Sequence, residues 1–116
     1  MNCRFKEQHS LEERVAECQR IIKRYPDRIP IIVDTGKGMP TLDKQKYLAP
    51  SDLTIGQFAY TIRKRLQFDS QKAMFLLIDG AIPPTASSLS SIHQMHRDAD
   101  GFLYITVASE NTFGFK

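Results

Sequence analysis

The 116 residues predict an α+β fold. Three observations carry that prediction. Two capping boxes each open a segment whose apolar residues recur at helical spacing. Short β-branched and apolar runs, bounded by proline or glycine, read as strands between those segments. The resulting order is α, β, β, α, β, α, β, which is neither all-β nor a regular α/β alternation.

The elements follow in order. A short turn of helix over 4–7 precedes the first capping box, Ser10-Leu11-Glu12-Glu13. There the Ser10 hydroxyl can accept from the Glu13 N–H while the Glu13 side chain reaches back. Leu11, Val15, Cys18 and Ile22 stand at i, i+4, i+7 and i+11, which predicts them as the buried stripe of a helix that Pro26 stops near Tyr25. Ile29 to Val33 reads as a buried strand, with Pro30 tolerated near its start. The glycines of 34–40 make a loop. Lys46 to Ala49 is a short strand ended by Pro50, which suits a sheet edge. Thr54-Ile55-Gly56-Gln57 is the second box, and Ile55, Phe58, Ala59, Ile62 and Leu66 form one helical face. Arg63, Lys64 and Arg65 lie in that helix's last turn, where cations suit the dipole. Ala73 to Ile78 reads as a central strand, Asp79-Gly80 as a tight turn, Leu89 to His96 as a helix and Phe102 to Ala108 as the last strand. The polar residues from Ser109 onward have nothing to pack against.

Size and charge bound the function. The length fits one domain with a real core. The longest uncharged apolar run, 73–78, is far below the ~20 residues of a membrane span. The N-terminal residues lack a signal-peptide pattern, and Cys3 and Cys18 make no disulfide framework, so the expectation is a cytosolic chain with reduced thiols. Residues 1–66 hold thirteen Lys/Arg against eight Asp/Glu, and residues 67–116 hold three against five. A front half at +5 and a rear at −2 suit an acidic partner on one side, or simply a solvated surface.

Several short motifs fail on their chemistry. Asp34-Thr35-Gly36 after an apolar strand matches an aspartic-protease strand, but that enzyme needs a nearly all-β chain. His93 and His96 at i, i+3 have no well-placed third ligand. Asp98-Ala99-Asp100-Gly101 begins like a calcium loop, yet its glycine comes at position 4 and Ser109 stands where the bidentate acid belongs. No metal and no cofactor is expected. Cys3 and Cys18 lack a nucleophile's setting, Gly36-Lys37-Gly38 is too short for a phosphate cradle, and Arg63 to Arg65 lack the aromatic ladder of a single-strand binder. The residues alone describe an α+β binding domain.

A longer pattern goes further. It comprises 25–33 (YPDRIPIIV), 42–58 (LDKQKYLAPSDLTIGQF), 62–65 (IRKR), Ile82-Pro83-Pro84, Phe102-Leu103-Tyr104-Ile105 and 110–114 (ENTFG). In this order and spacing, over nearly the whole chain, these segments resemble the autophagy ubiquitin-like modifiers of the GABARAP type. The resemblance implies a ubiquitin-like β-grasp core over 26–109. A helical extension at 1–25 would contribute two additional N-terminal helices, and a tail at 110–116 would carry a processing site. It implies a protein without catalytic activity. A cysteine protease would trim the chain after Gly114, with Phe113 recognised beside it. Activating and carrier enzymes would then join Gly114 to phosphatidylethanolamine. The chain would be cytoplasmic, and on autophagosomal membranes when lipidated. No nucleic-acid partner is implied.

The same resemblance implies recognition of cargo receptors through aromatic-x-x-aliphatic peptides added to an edge strand. By position, the aromatic pocket would be Glu17, Ile21, Pro30, Ile32, Lys46, Leu48 and Phe102. The aliphatic pocket would be Tyr47, Ala49, Pro50, Leu53, Phe58 and Thr61. Arg28, Lys44, Lys46 and Arg65 would meet acidic residues flanking the anchors. Leu48, Leu53 and Phe58 also have a reading as core residues, which for Phe58, on its helical stripe, weighs about as much as the pocket reading. Ala49 and Thr61 stand where larger aliphatics are usual, which implies a wider or less apolar second pocket. The loop over 36–41 is shorter than in the animal members, and Gly101 replaces a bulkier residue. The alternative reading is a β-grasp peptide-binding module that is never conjugated.

Overall fold

The computed structural model describes residues 3–36, 38–69 and 71–110. The helices are α1 (Arg4–Gln8), α2 (Leu11–Arg24), α3 (Ile55–Leu66) and α4 (Leu89–His96). The strands are β1 (Arg28–Thr35), β2 (Lys46–Pro50), β3 (Met74–Leu77) and β4 (Leu103–Ser109). They form a four-stranded sheet in the order β2-β1-β4-β3. The two inner strands, β1 and β4, run parallel, and each outer strand pairs antiparallel to its inner neighbour. Both capping boxes are closed, with Ser10 and Thr54 accepting from Glu13 and Gln57 at 3.2 Å each.

Residue parity divides the sheet between two cores. Ile29, Ile31 and Val33 of β1, Tyr47 and Ala49 of β2, and Leu103, Ile105 and Val107 of β4 pack with α3 and α4. The opposite face carries Ile32, which clusters with Phe102, Phe5 and Cys18 below the N-terminal helices. β1 is thus covered on both sides, which is why its sequence is a continuous apolar run rather than an alternation. Pro30 sits in this inner strand without cost to the ladder. The Val33 N–H donates to the Gln45 carbonyl at 2.8 Å, so odd residues of β1 bond to β2 and even ones face β4. Pairing with β4 begins only at Ile31↔Leu103, so the missing N–H of Pro30 leaves no bond unmade.

Four expectations need correction. β3 is an edge strand, because the parallel pairing of β4 with β1 takes the centre; only Leu76 of its four residues is buried. The stripe on α2 is rotated. Cys18 is buried and Val15 half-buried, as the stripe predicts, but Leu11 and Ile22 remain 49% and 40% exposed, while Arg14 and Ile21 turn inward. Asp34 and Thr35 belong to β1 rather than to the loop, held by pairing with Thr106 and Val107. Ser109 is the last residue of β4, paired with Met74, and so is not part of an unpacked tail. The tight turn at Asp79-Gly80 is present, with φ of 52° and 79° and reciprocal bonds between Ile78 and Ala81.

The rotation of α2 has an electrostatic cause. Asp100 is only 2% exposed. Its carboxylate accepts from the Phe102 N–H at 2.8 Å, from Arg14 Nη1 at 2.7 Å and from the Tyr104 hydroxyl. Burial opposes the charge of Arg14, but its hydrogen bonds to Asp100 and Tyr104 outweigh that and raise its pKa above the ordinary value. Burial and the bond to Asp100 push the Tyr104 hydroxyl well above the usual phenol range, so it stays a donor. Next to this cluster Gly101 has φ +96° and lies so close to α2 that an added Cβ would stand 2.7 Å from Cys18 Sγ. Burial pushes the Cys18 thiol up to about 11, which keeps it a neutral packing group.

Gly101→Ala is therefore expected to destabilise the chain by about 2–4 kcal/mol, from left-handed backbone strain plus overpacking. Removing Sγ with Cys18→Ala relieves only the overpacking. In urea titrations the double variant should lose less than the sum of the two single losses.

Candidate functional site

The sheet offers an open edge at β2. By the alternation that bonds Gln45 to Val33, Lys46 and Leu48 turn their N–H and C=O groups away from β1, toward that edge. Their side chains point to the α2 face, whereas Tyr47 and Ala49 point to the α3 face. One short strand therefore presents different surfaces above and below the sheet.

On the α2 face a cavity of about 720 Å³ opens between β2 and the N-terminal helices. Lys46 and Leu48 line it from the strand, and Glu17, Arg20 and Ile21 from α2. Phe5 of α1, His9, Lys44 and Gln45 complete the wall. Four members of the first pocket set, Glu17, Ile21, Lys46 and Leu48, are thus brought together. Pro30, Ile32 and Phe102 are fully buried, and the last two belong to the apolar cluster against which Ile21 packs. Lys46 forms an ion pair with Glu17, which Arg20 also approaches at 3.7 Å. The rim is cationic, but its central lysine already has an acidic partner.

The second set is dispersed in depth. Tyr47, Ala49 and Phe58 are buried in the main core, with Tyr47 edge-on to Phe58 at 5.9 Å. Leu53 is partly buried against the same core, and Pro50 and Thr61 lie at the surface. Thr61 donates to the Gln57 carbonyl at 3.3 Å within α3. Of the cations, Lys44 and Arg65 both stand over the Tyr47 ring, at 5.2 and 5.7 Å. Burial raises the Tyr47 hydroxyl pKa despite the opposing charge of Arg65. Arg28 is exposed at the start of β1, across from Pro50. Phe113 and Gly114 lie outside the described residues.

The imidazoles do not converge. His93 donates from Nε2 to the Gly101 carbonyl at 2.8 Å, and His96 pairs through Nδ1 with Asp79 at 2.7 Å. Among the described residues no group of His, Cys, Asp and Glu could hold a metal ion. None of the described helices is long and apolar enough to cross a membrane.

The family model described as autophagy protein Atg8, ubiquitin like, matches residues 13–114. The chain belongs to the Atg8 family. Autophagy-related protein 8 of Mycosarcoma maydis is 51% identical over 116 residues, covering 98% of each chain. The proteins of the same name from Neosartorya fischeri and Aspergillus niger are similar to the same degree and extent. A crystal structure of Trypanosoma brucei ATG8 superposes with a TM-score of 0.91 at 35% identity, over 98% of this chain and 100% of that one. The α+β sheet and helices described above are thus the ubiquitin-like fold of the Atg8 family, and the protein is a ubiquitin-like protein of autophagy rather than an enzyme.

Sequence reasoning missed two parts of this candidate site in the Atg8-family chain. Phe5 and His9 line the cavity although α1 is only a five-residue helix with no side-chain cap. Asp98 and Asp100, weighed only as metal ligands, instead hold α1 and α2: Lys6 Nζ meets Asp98 Oδ1 at 2.6 Å, and Arg14 lies 3.8 Å from Asp98 and 2.7 Å from Asp100. The available signal was a pair of cations, one in each N-terminal helix, facing two acids just before an aromatic strand.

Partial burial raises the pKa of Asp98, but its bonds to Lys6 and to the Asp100 N–H outweigh that and bring it below 3.8. A lowered carboxylate pKa adds stability that is present above the unfolded value and lost as pH falls through the folded one. Asp98→Asn should therefore destabilise the protein at about pH 6, with the difference from wild type shrinking as pH falls through the lowered pKa of the folded carboxyl. Urea midpoints across that range check it.

Proposed function

We propose that this Atg8-family protein is processed after Gly114, conjugated there to phosphatidylethanolamine, and used to recruit receptors bearing aromatic-x-x-aliphatic peptides. The observation that carries the peptide reading is the two-faced edge of β2. In an added strand, residues separated by three positions point to opposite faces, because the side-chain period is two. An aromatic anchor placed in the α2-side cavity then sends its aliphatic partner toward Tyr47, Ala49, Pro50, Leu53, Phe58 and Thr61. Lys46 and Leu48 precede Ala49 and Pro50 along β2, so a peptide with its aromatic residue first runs parallel to β2. Lys46 and Leu48 supply its main-chain bonds.

Each buried anchor contributes about 1.5–3 kcal/mol before ordering costs. Two anchors and a few strand bonds correspond to micromolar binding, about −8 kcal/mol. Arg28, Lys44 and Arg65 are the cations for acidic flanking residues, and Lys46 must share itself with Glu17.

The attachment reading rests on the family and on chemistry. Gly114 has no Cβ, so its backbone can enter a narrow protease channel and adopt any φ needed there. Removal of Phe115 and Lys116 exposes its carboxyl group to activating and carrier enzymes. Two acyl chains on the lipid then supply stable anchoring, at about 0.8 kcal/mol per buried CH₂, without a spanning helix. This would move a cytoplasmic protein onto autophagosomal membranes.

Incubation in lysate of the source organism should shorten the purified chain by the mass of Phe115 and Lys116. Gly114→Ala should block that loss and abolish membrane recovery; an unchanged wild-type mass in an active lysate would favour a peptide-binding module that is never conjugated. Leu48→Ala should weaken an acidic-flanked aromatic-x-x-aliphatic peptide about tenfold by calorimetry, the loss of part of one buried wall. Equal affinity would remove the cavity from the docking site.

A further inference from the structure

We propose that α1 is a specificity-determining wall of the α2-side cavity, with Phe5 selecting a ring over an aliphatic anchor and Lys6 positioning it. The inference rests on the peptide-docking reading of that cavity. At about 720 Å³ the cavity has the size of a whole small-molecule pocket, more than one side chain fills, so its walls and not its volume must discriminate. Two of its apolar lining residues, Ile21 and Leu48, are aliphatic and would accept leucine as readily as tryptophan. Among the described lining residues, Phe5 and His9 alone carry rings. Their rings lie 4.8 Å apart, and Phe5 stands edge-on to buried Phe102 at 5.5 Å and 76°. An incoming ring can extend this cluster in an edge-to-face or offset contact, which an aliphatic side chain cannot make.

A helix of five residues has no stability of its own, so the position of Phe5 depends on tertiary ties. Burial of the Phe5 ring with Cys18 and Phe102 supplies one, and Lys6 supplies another. Its Nζ is 2.6 Å from Asp98 Oδ1 and 4.6 Å from the centroid of the Tyr104 ring. The Arg4 N–H adds a weaker bond to Asp34 Oδ2 at 3.4 Å. Lys6 is therefore a positioning residue, and Phe5 is the residue that meets the ligand.

The test uses the full chain and two acidic-flanked synthetic peptides that differ only in the first anchor, tryptophan-x-x-leucine and leucine-x-x-leucine, titrated by calorimetry. Phe5→Ala should weaken the tryptophan peptide about five- to tenfold and leave the leucine peptide within about twofold, collapsing the selectivity ratio. Phe5→Tyr should retain the ratio. Lys6→Ala should lower the ratio in the same direction, and Lys6→Arg should restore it. An equal loss for both peptides would assign Phe5 a purely structural role and overturn the proposal, as would unchanged affinities. Failure of the wild-type chain to bind the tryptophan peptide would instead defeat the docking reading itself, and it would show before any variant is made.

Discussion

A single buried carboxylate organises the N-terminal half of this protein. Asp100 is held out of water and satisfied by a backbone N–H, a guanidinium and a phenol. Burying a charge is costly, and a buried ion pair is weak evidence of net stability. What the cluster contributes is position. It admits one rotation of α2 about its axis, the one that brings Arg14 over the sheet, and it sacrifices the burial of Leu11 and Ile22 to obtain it. The same rotation turns Glu17 and Ile21 toward β2, where both line the cavity.

The two sheet edges are treated differently. β3 is backed by α3, and its exposed flank is short. β2 is kept open, yet it is guarded against indiscriminate pairing: Lys46 lies within it, Lys44 just before it, and Pro50 ends it. Those residues also set the chemistry of a partner strand. Under the proposed docking of an acidic-flanked peptide, an edge bordered by Lys44, Lys46, Arg65 and Arg28 would repel basic segments and favour acidic ones, so protection from aggregation and selection of ligand would come from the same side chains.

Local chemistry made most of the fold legible. Ser10, Glu13, Thr54 and Gln57 declare two helix starts within four residues each, and Asp79-Gly80 declares its turn, because these interactions close inside the segment that encodes them. The errors share a different cause. The place of β3 depends on β4 choosing β1 as its other neighbour, and the buried face of α2 depends on an acid 86 residues beyond Arg14. Periodicity favours Leu11 and Ile22 over Arg14 at the core because it scores hydrophobicity and not ion pairing. At the candidate site, the division of 46–49 between two pockets came only from the family resemblance, and the place of Phe5 in the cavity wall was not legible at all, since α1 is too short to show a period.

The parallel pairing of β1 with β4 joins Ile31 to Leu103, and the tie between α1 and the rest joins Lys6 to Asp98, 92 residues away. Loop closure on that scale has to precede the contacts that reward it, which slows folding. During synthesis, β1 emerges early as an apolar strand with β2 as its neighbour but with its other side bare until residues 103–107 have been made. The centre of the sheet is completed last. Nascent chains of this protein must therefore hold a half-paired hydrophobic strand for most of their elongation time, the interval in which chaperone capture or misassembly competes most strongly with folding.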